Sequence, residues 1–191
     1  MVTGGVLRAL TVVLVTLVPL AARADFRDWT VSAWPAYAVT YVDSRAPSGI
    51  GAGAEIGFGI SESLTLKASG FVSWHPVAAT KMTSAGTIGE FASMVGLSYS
   101  LDVIRLVPSF DAVIGLVGIR GDAGFGNGAR ANTVVPSSTA LGVGLGFNLD
   151  YLLTRHVAVG IVVRYHAFVT DITRIPVYLF VGPRVTFRFH G

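Results

Sequence analysis

At 191 residues the chain is one domain by default, and with no cysteine it offers neither a disulfide framework nor thiol chemistry. Its mean hydropathy is +0.64 with only 13% charged residues, yet no run is long and apolar enough for a spanning helix, which needs ~20 residues. Helices and closed barrels alone satisfy every backbone polar group in lipid, so this combination points to a closed barrel. The net charge of +3 falls to +1 once the two arginines of the N-terminal segment, Arg8 and Arg23, are set aside, and no basic stripe is left for nucleic acid.

Residues 1–24 read as a secretory signal peptide. Arg8 precedes an apolar run over 10–20, and Ala22 and Ala24 are small residues at the two positions a signal peptidase reads. The run is too short for a membrane anchor and contains Pro19. Cleavage after Ala24 is expected, leaving 25–191 as the barrel segment.

Eight strands are predicted in that segment: 29–42, 49–60, 64–75, 87–101, 105–120, 138–151, 156–168 and 177–189. Their side chains alternate, as a strand sends successive residues to opposite faces. In the second, Ile50, Ala52, Ala54, Ile56, Phe58 and Ile60 oppose Gly51, Gly53, Glu55, Gly57 and Gly59. In the third, Leu64, Leu66, Ala68, Val72 and Trp74 oppose Thr65, Lys67, Ser69, Ser73 and His75. The sixth and seventh form a hairpin of the same kind. Leu141, Val143, Leu145, Phe147, Leu149 and Tyr151 alternate with Gly142, Gly144, Gly146, Asn148 and Asp150. Val157, Val159, Ile161, Val163 and Tyr165 then oppose Gly160, Arg164 and His166. In the eighth, the face of Leu179, Val181, Val185, Phe187 and Phe189 opposes Gly182, Arg184, Thr186 and Arg188.

The connections alternate in length. Those at 61–63, 102–104 and 152–155 are short; those at 43–48, 76–86, 121–136 and 169–176 are long. Outer-membrane barrels have short periplasmic turns, long external loops and an even strand number. The aromatic residues decide which face is outside. On the apolar face, Trp29, Phe58, Tyr99, Tyr151, Phe187 and Phe189 fall at the short-turn end, and Tyr41, Trp74, Phe91 and Tyr165 at the long-loop end. Two belts bracketing an aliphatic band mark the two bilayer interfaces. A soluble barrel would turn the apolar face inward.

The run Gly142–Phe147, the turn over 151–156 with Arg164 and Tyr165, and the closing strand over 181–189 carry a resemblance that spans the barrel segment. The chain resembles the small eight-stranded outer-membrane barrels of the OmpA/OmpX type. The resemblance implies an all-β, antiparallel, up-and-down transmembrane barrel, inserted by the barrel-assembly machinery and surrounded by outer-membrane lipids, as a monomer. Such barrels end on an aromatic residue that the assembly machinery reads; here His190 and Gly191 follow Phe189. No OmpA-like peptidoglycan-binding domain is expected beside the barrel.

The charges inside the strands share the inward face: Glu55, Asp111 and Asp150 against Lys67, Arg164, Arg184 and Arg188, with Glu90 at a strand end and Asp150 within reach of Arg188. An eight-stranded interior is just wide enough for side chains to fill, and an isolated buried charge costs several kcal/mol. A salt-bridge plug is therefore favoured over a polar pore. Pro35 and Pro183 lie in the first and last strands, each six residues from the short-turn end. Proline lacks the ladder donor, so these two mark either a bulge or a lateral seam.

The glycine-rich stretch over 121–128 precedes no helix and reads as an external loop rather than a phosphate cradle. His75 and His166 fall near Ser73 and Asp171 at the long-loop end, but no spacing marks a catalytic set, and the four histidines show no metal-ligand spacing. No cofactor and no nucleic acid are expected. The leading function is a structural or surface-interaction barrel with weak passage of small molecules. The alternative is an OmpW-like conduit for small apolar molecules through the lateral seam. A lipid A-modifying enzyme at the outer rim ranks third.

Overall fold

A computed structural model describes residues 27–41, 46–79, 85–101, 105–121, 124–125, 133–134, 138–169 and 177–189. The signal peptide read in 1–24, Asp171, and the terminal His190 and Gly191 lie outside them.

The described chain is a closed, all-antiparallel β-barrel of eight strands. The barrel strands are β1 (Trp29–Tyr41), β2 (Ser48–Gly59), β3 (Leu64–Val77), β4 (Gly86–Ser100) and β5 (Leu106–Gly121), then β8 (Ser138–Leu152), β9 (Val157–Phe168) and β10 (Val177–Phe189). Neighbours in sequence are neighbours in the wall, and β1 closes the sheet against β10. The long connection between β5 and β8, read from sequence as a loop throughout, contains a small hairpin of β6 (Gly124–Phe125) and β7 (Thr133–Val134). Its two-residue strands are too short to carry a period of two, which is why the alternation misses them.

The register explains why these sequences form one wall. Across β8 and β9, Leu145 faces Tyr165, Phe147 faces Val163 and Leu149 faces Ile161, all on the outer side. Opposite them, Gly144 faces His166 and Gly146 faces Arg164. Slipping by one residue would turn Arg164 and His166 outward and three aliphatic side chains inward, so the pattern fixes the pairing. On the whole outer face, Ser93 is the one polar side chain away from the strand ends among the described residues. Trp29, Tyr99, Tyr151, Phe187 and Phe189 ring one rim, and Tyr41, Trp74, Phe91 and Tyr165 ring the other. The apolar face is outside and the charges are inside, the reverse of a soluble barrel.

Candidate functional site: the lumen and the closing seam

The lumen is filled in tiers. At the short-turn end a small polar cavity of ≈ 60 Å³ is lined by side chains that include Thr30, Thr65, Ser100, Asp150 and Arg188. Asp150 Oδ1 and Arg184 Nη1, on residues that line it, have no protein partner. A polar space of this size with two to four such partners admits water.

Above the cavity sits an ion-pair cluster. Glu55 of β2 is its hub, touching Lys67 of β3 at 3.0 Å and both Arg164 of β9 and Arg184 of β10. Asp111 of β5 takes a second bond from Lys67 at 3.0 Å and one from Arg164 at 3.0 Å. Asn148 Nδ2 donates to Asp111 at 2.8 Å and to Ser109 at 2.9 Å. Arg184 also donates to Ser32 at 2.9 Å and Thr186 at 3.0 Å, and its Nε lies 3.8 Å from Asp150. The cluster is thus neutral, with three carboxylates facing three cations, and nearly all its members are buried to within a few percent. Buried charges are tolerable only on such terms. Asp150, read from sequence as within reach of Arg188, shares the cavity wall with it, and its Oδ2 also lies 3.8 Å from Arg184 Nε. Arg184 is four residues deeper on the same face of β10, level with the cluster, whereas Arg188 is near the strand end.

The glycines of β8 make room for inward side chains of the cluster and of the tier above it. A Cβ at Gly146 would lie 2.9 Å from Arg164 Cγ and 3.1 Å from Asp111 Cβ. One at Gly144 would lie 2.4 Å from the His166 ring and 2.7 Å from Val113.

The next tier is aromatic. Phe71 of β3 stacks on Phe180 of β10 with centroids 4.1 Å apart, and Phe180 lies nearly parallel to Trp34 of β1 at 6.4 Å. The His166 ring meets Phe180 edge-on at 5.3 Å, and the Arg164 guanidinium stands 4.9 Å over Trp34, joining this layer to the cluster. Gly51 and Gly53 of β2 lie under these rings; a Cβ at Gly53 would be 2.4 Å from Trp34. Met94, Val113 and Val162 complete the packing. Residue type alone does not mark Trp34, Phe71 or Phe180 as inward. Their position in the alternation was the available signal, since each shares a face with an inward polar residue: Ser32, Ser73 and Arg184 respectively.

Nearest the long loops, Ser73, His75 and Glu90 are buried together. Ser73 Oγ is 2.9 Å from His75 Nε2 and donates to Glu90 Oε2 at 3.0 Å, which is 3.2 Å from His75 Nε2. The register pairs Ser73 directly with Glu90, so the carboxylate read as a strand-end charge is an inward one. His166 is not part of this group; it belongs to the aromatic tier. Serine and carboxylate meet the same imidazole nitrogen, and Nδ1 has no partner. A hydrolytic triad needs the acid on the other nitrogen, orienting the ring as a base. Among the described residues, no group of three or more His, Cys, Asp or Glu residues could hold a metal ion.

The wall has one interrupted seam. β1 pairs with β10 from Trp29↔Phe189 to Ala33↔Val185, then resumes at Tyr37↔Val181. Pro35 keeps its partner Ala52 on β2, and Pro183 keeps Ile161 on β9. Extending the register across the gap sets Pro35 opposite Pro183. The donors the two rings lack are therefore those that would have met across the seam. The strands remain close: a Cβ at Gly182 would lie 1.9 Å from the Pro35 carbonyl oxygen, so only glycine fits there. Outside the gap an almost wholly apolar groove of ≈ 740 Å³ is lined by Pro35, Tyr37, Ile50, Ile161, Val181 and Pro183 among others.

These features define the fold of the small outer-membrane β-barrels. No protein-family model matches the chain, and no curated protein matches it in sequence. Solved structures do. Neisserial surface protein A superposes with a TM-score of 0.66 at 16% identity, covering 84% of this chain and 97% of that one. Ail, the attachment invasion locus protein of Yersinia pestis, gives 0.58 at 12% identity, with 86% and 99% covered. OprG from Pseudomonas aeruginosa gives 0.53 at 13% identity, with 87% and 97% covered. At these identities the likeness is one of fold.

Proposed function

We propose that the chain is an outer-membrane β-barrel, directed there by the signal peptide in 1–24, with a structural or surface-interaction role and a lumen closed along its axis. The observation that carries this reading is the stacking of two blocking tiers, the neutral ion-pair cluster and the Trp34–Phe180–Phe71 layer, across a wall whose outer face is apolar. A wall with so extensive an apolar exterior is unstable in water and suited to hydrocarbon. Neisserial surface protein A and the attachment invasion locus protein Ail are both named for surface roles, which supports the surface-interaction reading. Outer-membrane lipids surround it, the assembly machinery inserts it, and it works as a monomer. Passage of small molecules is no more than weak leakage. No catalytic role is assigned, because Ser73, His75 and Glu90 are buried and lack triad geometry.

The test is expression with the signal peptide intact. The mature chain, lacking residues 1–24, is expected in the outer-membrane fraction with heat-modifiable gel mobility. Liposomes containing it are expected to exclude small sugars. Recovery as a soluble protein, or swelling at the rate of an open porin, contradicts the reading.

A second reading is favoured by the break between Ala33↔Val185 and Tyr37↔Val181: an OmpW-like lateral conduit for small apolar molecules. It differs from the first in having a side opening, not an axial one.

A further inference from the structure

The β1–β10 seam is the weakest line in the wall and lies where hydrocarbon meets it. The other seams keep an unbroken register along their paired lengths among the described residues. Pro35 is six residues from Trp29 and six from Tyr41, so the break falls midway between the two aromatic rims. The groove outside it is a recess in a surface that otherwise faces acyl chains. Its lining offers almost nothing polar, and at that depth no headgroup can reach it. Behind the break stand Trp34, one residue from Pro35, and Phe180, three from Pro183.

We propose that the seam parts locally between residues 33–37 and 181–185 and admits an acyl chain of a bilayer lipid, which packs against Trp34 and Phe180 as the back wall of the site. The proposal rests on the membrane reading above and is independent of axial closure. Two ladder bonds are missing where the prolines face each other, so parting breaks no hydrogen bond at that pair and has only the flanking pairs to strain. The occupant is hydrocarbon because the recess is continuous with the lipid-facing band and its lining is almost wholly apolar. The aromatic layer makes the site a dead end, which holds an apolar chain without passing it to the short-turn side.

Trp34 can report on this directly. The chain has three tryptophans, and Trp29→Phe with Trp74→Phe leaves Trp34 alone. The absence of native cysteine allows a single reversible staple across the seam, Tyr37→Cys with Val181→Cys, at a registered pair. The full barrel is reconstituted in phosphatidylcholine vesicles with acyl chains brominated near mid-chain. Bromine quenching of Trp34 is expected in the reduced form, to be lost in part on oxidation and restored by dithiothreitol. Pro35→Ala with Pro183→Ala, which returns both donors, is expected to lower quenching without any staple. A matched variant with Trp74 as its only tryptophan is expected to quench equally in both redox states. Trp34 quenching that ignores both the staple and the proline replacements overturns the proposal. So does a Tyr37→Cys single variant that oxidises to a covalent dimer within the bilayer, because the groove is then filled by a second copy. Swelling in the sugar-exclusion assay would contradict axial closure and leave this quenching result unaffected, so the two readings fail separately.

Discussion

Glu55 is the residue on which the interior depends. Its carboxylate contacts Lys67, Arg164 and Arg184 while almost completely buried. Glu55→Gln leaves three cations sharing Asp111 and Asp150, so a loss of about 3–5 kcal/mol is expected, the usual cost of breaking a buried pair from one side. The readout is the urea midpoint of reversible unfolding in vesicles. Arg188→Gln, in the cavity wall, should shift that midpoint far less. Gly144→Ala drives a methyl against the His166 ring and Val113. It should cost about 1–3 kcal/mol as overpacking, whereas an open channel behind β8 would make the change nearly neutral. The polar members of the cluster were legible in the sequence because each is a charged residue on the glycine side of an alternating strand. Its pairing was not, since neither the height of a residue in the lumen nor the reach of Arg184 to Glu55 across β1 follows from position in one strand. Trp34, Phe71 and Phe180 were hidden for a different reason: an aromatic residue draws attention to the lipid face, and only strict counting along the strand sends these three inward.

At the scale of the strand, the period of two located all eight barrel strands within two residues of their observed ends, because each must satisfy two environments at once. The β6–β7 hairpin escaped, being too short to show a period. The two prolines were legible as a pair, each six residues from the short-turn end, and the register adds that they face each other. Returning donors with Pro35→Ala and Pro183→Ala restores two ladder bonds, each contributing about 0.5–1.5 kcal/mol in water-exposed proteins. Lost proline rigidity in the unfolded chain offsets about 0.4–1 kcal/mol at each site. The bonds here form where no water competes, so a net rise in the unfolding midpoint is expected. Hydrogen exchange in micelles should find the amides gained at positions 35 and 183 protected. Free exchange of both would mean that the strands do not meet at that pair.

For the whole molecule, inside and outside have traded places relative to a soluble protein. The outer face supplies an apolar band between aromatic rims, and the interior carries the charge. Eight strands enclose too little space for both a polar lining and a channel. The proposed closure is double, by ion pairs on the short-turn side and by aromatic rings above them. Removing the rings alone, with Trp34→Ala, Phe71→Ala and Phe180→Ala, leaves the cluster beneath in place, so the variant is expected to stay closed along its axis. Single-channel recording of the wild-type barrel in a planar lipid bilayer tests this closure most directly. No discrete conductance steps above the bare membrane are predicted, at either polarity and across salt concentrations. Stable ohmic steps that scale with the number of inserted barrels would contradict a closed lumen and require a continuous water path past Glu55 and Arg164.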